Sequence, residues 1–147
     1  MLLGKIMERI EQNKEKTAIV TDGKAYTYNE LLGAYKSYEK ILEDVPRGSV
    51  VAVRGEFDVN TIGLMMALMD HRCIYVPISR AVIDVAYYLE TAKVEYYLDM
   101  DDEKLAGLDE KADHPLYEKL RQMGHPGIVF FSSGTTGTPK AAVHDLM

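Results

Sequence analysis

The chain has 147 residues, 47% apolar and 27% charged. That composition argues against disordered, collagen-like and coiled-coil architectures and leaves enough chain for one domain with its own core. Seventeen Lys plus Arg against 23 Asp plus Glu give a net charge of −6, the wrong sign for a nucleic-acid footprint. Cys73 is the single cysteine, so no internal disulfide can form, which fits a reducing compartment.

The first sixteen residues alternate charge with apolar positions and lack the apolar stretch of a signal peptide. Leu3, Ile6, Met7 and Ile10 recur there at helical spacing, predicting a short amphipathic helix. Thr17 to Thr21 and Ala25 to Thr27 read as strands around Asp22-Gly23, a dipeptide that tolerates positive φ and favours a tight hairpin. Thr27 and Glu30 have the spacing of a capping box. Leu31, Tyr35, Tyr38, Leu42 and Val45 then form one helical stripe, ended by Pro46, Arg47 and Gly48. Ser49 to Val53 reads as a strand, and Asp58 as the N-cap of a buried helix, VNTIGLMMALM. The uncharged run from Val59 to Met69 is too short to span a bilayer. A soluble, cytoplasmic protein is therefore expected.

Cys73 to Ile78 reads as a strand that stops near Pro77. Val82, Val85, Ala86 and Leu89 mark a helix, Val94 to Leu98 a strand, and Asp99 to Glu103 an acidic loop. Leu116, Leu120 and Met123 mark a helix opening at Pro115, a favoured first-turn position, and Ile128 to Phe131 reads as a buried strand. Strands and helices thus alternate regularly from Ser49 onward. That order predicts an α/β fold with a largely parallel sheet. No repeat, low-complexity stretch or linker divides residues 1–147.

The chemistry concentrates in Ser132-Ser133-Gly134-Thr135-Thr136-Gly137-Thr138-Pro139-Lys140. Five of the seven residues from Ser132 to Thr138 carry hydroxyls and the other two are glycines. Glycine lets a backbone approach a ligand and turn its N–H groups inward, and clustered donors in a concave loop suit a polyphosphate. Lys140 adds a positive charge. A loop at the carboxyl end of a strand lies where α/β sheets usually bind ligands. The segment is not a Walker A loop, because Pro139 and Ala141 stand where that motif needs Gly and Ser or Thr. The bland alternative is a polar turn joining two strands.

Ser132 to Lys140 resembles the signature loop of the adenylate-forming (AMP-binding) superfamily: acyl- and aryl-CoA synthetases, luciferases and the adenylation domains of peptide synthetases. The likeness holds through Lys140 and departs at Ala141, where the family usually has Gly. Tyr26-Thr27-Tyr28-Asn29-Glu30-Leu31 and Cys73-Ile74-Tyr75-Val76-Pro77-Ile78 are similar to two upstream segments of that family, the second only in part because Asp70-His71-Arg72 precedes it. The resemblance implies that residues 1–147 are the N-terminal portion of the large domain, ending just after the phosphate loop. It implies attack of a carboxylate on the α-phosphate of ATP, giving an acyl-adenylate and pyrophosphate. A thiol of coenzyme A or of carrier-protein phosphopantetheine then takes the acyl group. Mg²⁺ accompanies ATP. Ser133, Thr135 and Thr136 become hydroxyl donors, Gly134 and Gly137 backbone donors, and Ser132, Thr138 and Lys140 further contacts of the loop. His144 is a candidate beside the acyl pocket. No residue of the fragment is assigned to catalysis, and the fragment alone is expected to be inactive. The other reading is a non-catalytic α/β module that binds a phosphate ligand or a protein.

The remaining candidates read as structure. Asp99, Asp101, Asp102 and Glu103 fail the calcium-loop pattern at Glu103 and Lys104. His71, His114 and His125 have no metal-ligand spacing, and no metal residues are expected. Tyr87-Tyr88 and Tyr96-Tyr97 read as half-buried packing with wet hydroxyls, Met65, Met66 and Met69 as core, and Cys73 as buried and inert. A sheet ending near residue 147 would leave an exposed edge through which copies could associate.

Overall fold

The computed structural model describes residues 1–133 and 137–147. The N-terminal stripe forms α1 (Leu2–Gln12), which buries Leu3 and Ile10. Strands β1 (Thr17–Thr21) and β2 (Lys24–Thr27) pair as an antiparallel hairpin through Asp22 and Gly23, both at positive φ. The capping box then opens α2 (Tyr28–Glu39): Glu30 N–H donates to Thr27 Oγ1 at 3.1 Å, and Thr27 N–H to Glu30 Oε2 at 2.7 Å. The stripe predicted to run to Val45 leaves the α-helix earlier. Residues Lys40–Leu42 tighten into a 3₁₀ turn, yet Leu42 and Val45 both stay buried.

Strand β3 (Val50–Arg54) feeds α3 (Val59–Asp70), whose N-cap Asp58 accepts from Thr61 N–H at 2.8 Å. Strand β4 (Ile74–Ile78), helix α4 (Val85–Thr91) and strand β5 (Tyr96–Asp99) follow. Val82 lies before α4 in a turn, because Asp84 caps the helix by accepting from Tyr87 N–H at 3.1 Å. An unforeseen strand, β6 (Lys104–Gly107), folds back antiparallel on β5. Helix α5 (Pro115–Met123), β7 (Gly127–Ser132) and β8 (Lys140–Asp145) complete the chain.

The main sheet has six strands in the order β6-β5-β3-β4-β7-β8. The inner four are parallel, and both edges are antiparallel. The alternation of side chains across a strand separates two cores. Val51, Val53, Tyr75, Leu98 and Ile128 face α1, α2 and α3. Val50, Ala52, Ile74, Val76 and Val129 face α4 and α5. β6 explains why α5 joins α4 on the second face. It returns the chain to the amino edge before α5, so the connection into β7 links antiparallel strands. The right-handed rule for parallel crossovers does not govern it.

Three sequence expectations are corrected. Helix α5 was expected to bury Leu116, Leu120 and Met123, but Tyr117 and Leu120 are buried while Leu116 is 50% and Met123 43% exposed. The helix is turned so that Tyr117 hydroxyl donates to Ala92 carbonyl at 2.7 Å. Strand β7 is not buried throughout: Phe130 is 46% exposed beside His144, whereas its neighbour Val129, on the opposite face, is fully buried in the second core. Pro77 does not stop β4 but lies inside it, opposite Val53. On β4, Ile74 N–H and Ile78 carbonyl bond toward β3, and Cys73 carbonyl bonds toward β7. Backbone groups alternate sides in a parallel ladder. The missing donor of Pro77 therefore faces β7, beyond the last β4–β7 partners, Tyr75 and Ile128.

Gly63 marks the closest approach of α3 to α2: a Cβ there would lie 2.7 Å from Ala34 Cβ and 2.8 Å from Tyr35 N. Gly33, also helical, has nothing within 4 Å of such a Cβ. Gly63→Ala should destabilise by about 1–3 kcal/mol through overpacking, whereas Gly33→Ala should stabilise by about 0.5–1 kcal/mol through helix propensity. Urea unfolding of both variants checks the opposite signs. Burial pushes the Cys73 thiol up to about 12, so at pH 8 it should resist alkylation in the folded protein and react after unfolding, as mass spectrometry would show.

Candidate functional site

The parallel strands end together on one edge, and the loop from Ser132 to Lys140 rises from that edge at the tip of the β7–β8 hairpin. The outermost rung of the ladder pairs Ser132 with Lys140, and Ser132 hydroxyl donates to Lys140 carbonyl at 3.5 Å. Ser132, Ser133, Gly137, Thr138 and Lys140 are all exposed, and Gly137 has a φ of 76°. Only glycine takes that conformation without steric cost. Gly134, Thr135 and Thr136 lie outside the described residues. The described part of the loop is thus a water-facing set of hydroxyls with one lysine at its root.

Helix α4 holds both roots of this loop. Tyr87 hydroxyl donates to Pro139 carbonyl at 2.8 Å. Tyr88 packs on Phe131 with ring centroids 4.2 Å apart, tilted by 42°. A groove of about 400 Å³ lies beneath, lined by Lys140, Lys93, His114, Tyr87 and Tyr117 among others. Lys93 Nζ lies 3.6 Å from Asp113 Oδ1. His114 caps α5, its Nδ1 accepting from Leu116 N–H at 3.2 Å.

The neighbouring strand ends are cross-linked by charge. Arg54, at the end of β3, lies 3.8 Å from the Asp99 carboxylate of β5. Arg80, beyond β4, approaches Asp99 at 3.5 Å and Asp101 at 2.5 Å. Arg54 also donates to the carbonyls of Arg80 and Val82, each at 3.4 Å. These arginines are matched by carboxylates, so the carboxyl-edge cation standing next to the hydroxyl loop is Lys140. The acidic loop predicted from Asp99 to Glu103 is the turn that supplies those partners, and Tyr38 hydroxyl donates to Glu103 at 2.9 Å. Among the described residues, no group of three or more His, Cys, Asp or Glu could hold a metal, and no helix is long and apolar enough to cross a membrane.

The structure does not bring His144 to the loop. It lies opposite Ile128 near the start of β7, four residues and roughly 13 Å along the strand from Lys140. Its ring lies 5.6 Å from that of Phe130. Sequence reasoning took Tyr87 and Tyr88 as packing and missed their contacts with the loop. Tyr87 and Pro139 lie 52 positions apart, and no motif joins them. The amino edge of the hairpin is fastened separately, by His125 Nδ1 and Asp145 Oδ2 at 2.8 Å.

No protein-family model matches the sequence, and no curated protein matches it. Solved structures do resemble it. The Klebsiella oxytoca NpsA N-terminal subdomain, in complex with 3-hydroxybenzoyl-AMSN, aligns with a TM-score of 0.66 at 20% identity, covering 97% of this chain and 39% of that one. VinN in complex with L-aspartate aligns with a TM-score of 0.73 at 14% identity, covering 99% and 48%. NpsA-ThdA, an artificially fused adenylation–PCP di-domain from the same organism, aligns with a TM-score of 0.69 at 22% identity, covering 96% and 32%. This chain therefore spans less than half of each of these structures. The likeness establishes the fold, an α/β unit like the N-terminal part of an adenylation domain.

The bond to His125 holds the Asp145 carboxyl below its ordinary value. A depressed carboxylate contributes stability above its unfolded pKa, and that contribution fades as pH falls through the folded one. Asp145→Asn should cost more stability at pH 6 than at pH 2. Thermal melts of both proteins at the two pH values check this.

Proposed function

We propose that this chain is the first portion of an ATP-dependent adenylate-forming enzyme and that its β7–β8 loop grips the pyrophosphoryl group of ATP. The observation that carries this reading is the loop itself: SSGTTGTPK follows directly on an inner strand, at the carboxyl edge, in a fold shared with adenylation enzymes. The carboxyl edge of an α/β sheet is the usual ligand edge. The loop's hydroxyls and glycine amides suit phosphate oxygens, and Lys140 supplies the charge.

The chemistry that needs such a loop is acyl activation. A carboxylate oxygen attacks the α-phosphorus of ATP, and the bond to the bridging oxygen of pyrophosphate breaks. Negative charge grows on the departing pyrophosphate. Fixed donors aimed at that charge lower the barrier by positioning and electrostatics. Ser133, Thr135, Thr136, Gly134 and Gly137 are the donors in this reading, flanked by Ser132 and Thr138. The acyl-adenylate then passes its acyl group to a thiol, releasing AMP. The thiol belongs to coenzyme A or to a carrier-bound phosphopantetheine, and the adenylation–PCP fusion among the similar structures supports the second. Mg²⁺ would arrive with ATP, and among the described residues no group of three or more His, Cys, Asp or Glu could hold it. The acids in the similar structures, 3-hydroxybenzoyl and L-aspartate, differ in size and charge, so the shared fold sets no acid class. His144, beside Phe130, would contact the acid only if the acyl group lay along the first face.

Mass action on the folded state gives the test. Pyrophosphate or ATP with Mg²⁺ at millimolar concentration should raise the melting temperature of this chain. Lys140→Ala and the double change Thr135→Ala with Thr136→Ala should abolish the rise. In the complete protein the same changes should lower acid-dependent ATP–pyrophosphate exchange by roughly 10²-fold, the scale of losing a transition-state donor. No thermal response in the parent chain, together with undiminished exchange in the variants, would defeat the reading.

A further inference from the structure

We infer that Tyr87 and Tyr88 of α4 form a clamp that sets the position of the phosphate loop: the Tyr87 hydroxyl holds its Pro139 root and the Tyr88 ring holds its Phe131 root. The ligand in this inference rests on the reading above; the mechanics of the clamp do not.

The need for a clamp follows from the sheet. Strand β7 pairs with β4 only at Ile74–Gly127 and Tyr75–Ile128. From Val129 to Ser132 its backbone partner in the sheet is β8, which is itself the edge strand. The loop therefore stands on a two-stranded ladder that is backed by side-chain packing, with Val129 buried in the second core and Phe131 against it, and a two-stranded pair depends on such packing for its stability. Contacts outside the ladder therefore set where its end lies.

Two consecutive side chains on α4 meet the two roots of the loop. Phe131 is the penultimate residue of β7, and Tyr88 lies on it at 4.2 Å between centroids. Pro139 immediately precedes β8, and its carbonyl accepts the Tyr87 hydroxyl at 2.8 Å. Tyr87 is fixed at its other end too, because its N–H donates to the N-cap carboxylate of Asp84 at 3.1 Å. The rings of Tyr87 and Tyr88 meet edge to face, 6.0 Å between centroids and 84° between planes. Simple packing does not account for the hydroxyl: phenylalanine would supply the same ring, and the one bond that tyrosine adds ends on the loop root. Both are positioning residues, acting on bound phosphate through the loop and not by contact. Preorganised donors bind a charge more strongly than donors that must first be ordered.

The experiment measures amide hydrogen exchange in the full chain by NMR, without ligand, in the parent, Tyr87→Phe and Tyr117→Phe. Tyr117 makes the same kind of bond, hydroxyl to Ala92 carbonyl at 2.7 Å, away from the loop. Tyr87→Phe should accelerate exchange at Phe130, Ser132, Lys140 and Ala142, whose N–H groups face the β7–β8 ladder, by about three- to tenfold, the scale of one net hydrogen bond. Exchange at Gly127, Ile128, His144 and α3 should not change. Tyr117→Phe should leave the loop end unaffected. Unaltered exchange at the loop end in Tyr87→Phe, or equal acceleration there in Tyr117→Phe, would overturn the clamp. A second measurement titrates pyrophosphate with Mg²⁺, and Tyr87→Phe should weaken its binding severalfold. If the parent binds no pyrophosphate, the phosphate reading fails, and the exchange result alone decides the clamp.

Discussion

A proline on the wrong side of a parallel ladder is the constraint from which the site's geometry follows. Residue 77 of β4 owes its N–H to β7, and Pro77 has none to give. Its carbonyl-side neighbour Ile78 still bonds to β3 through Gly55, so β4 continues on one side while its pairing lapses on the other. From Val129 onward β7 runs with β8 alone. Beyond Ile128 the hairpin is joined to the rest of the sheet by side-chain packing, with Val129 fully buried in the second core, and not by a β4 ladder. An interior strand interrupted in this way is costly unless the freed backbone finds other partners. On its other side β7 keeps the full ladder with β8, and Tyr87 bonds the Pro139 carbonyl at the root of the loop.

The two cores divide the labour. The first face is thick: α1, α2 and α3 cover it, with Gly63 letting α3 settle against α2 and the capping box fixing where α2 begins. The second face is thinner and carries only α4 and α5. That is the face from which the loop is held. A short helix such as α4, which buries no residue completely, has its side chains available for contacts outside the core. The edge hairpin β5–β6 matters here as well. By returning the chain to the amino edge, it frees α5 to lie beside α4 and complete the groove under Lys140.

Charge is arranged to the same end. The arginines at the carboxyl edge, Arg54 and Arg80, are occupied by Asp99 and Asp101 and serve to tie three strand ends together. Partly exposed pairs of this kind contribute little to stability; with both arginines paired, Lys140 is the cation at the root of the loop among the described residues. In a chain with a net charge of −6, that local arrangement matters more than the overall balance.

Much of the molecule was legible in residue order, because the signals were local. The capping box at Thr27, the Asp58 cap, the Asp22-Gly23 turn, the buried helix after Val59 and the alternation that makes the sheet parallel each depend on neighbours within a few positions, and each appears as read. The make-up of the loop was equally legible, since five hydroxyls, two glycines and a lysine stand within nine residues. What escaped was pairwise and distant. Lys104–Gly107 has no strand-forming composition and becomes β6 only because β5 offers an edge. The face that α5 buries was decided by Tyr117 reaching Ala92, not by its Leu and Met periodicity. Pro77 looked like a terminator, and only the register shows that its missing donor points at β7 alone. Residue order thus settled most of the elements and the hydroxyl-rich make-up of the loop, through local backbone preference and side-chain type. Tertiary structure decided what holds the loop in place, because a hydrogen bond across 52 positions leaves no trace in either.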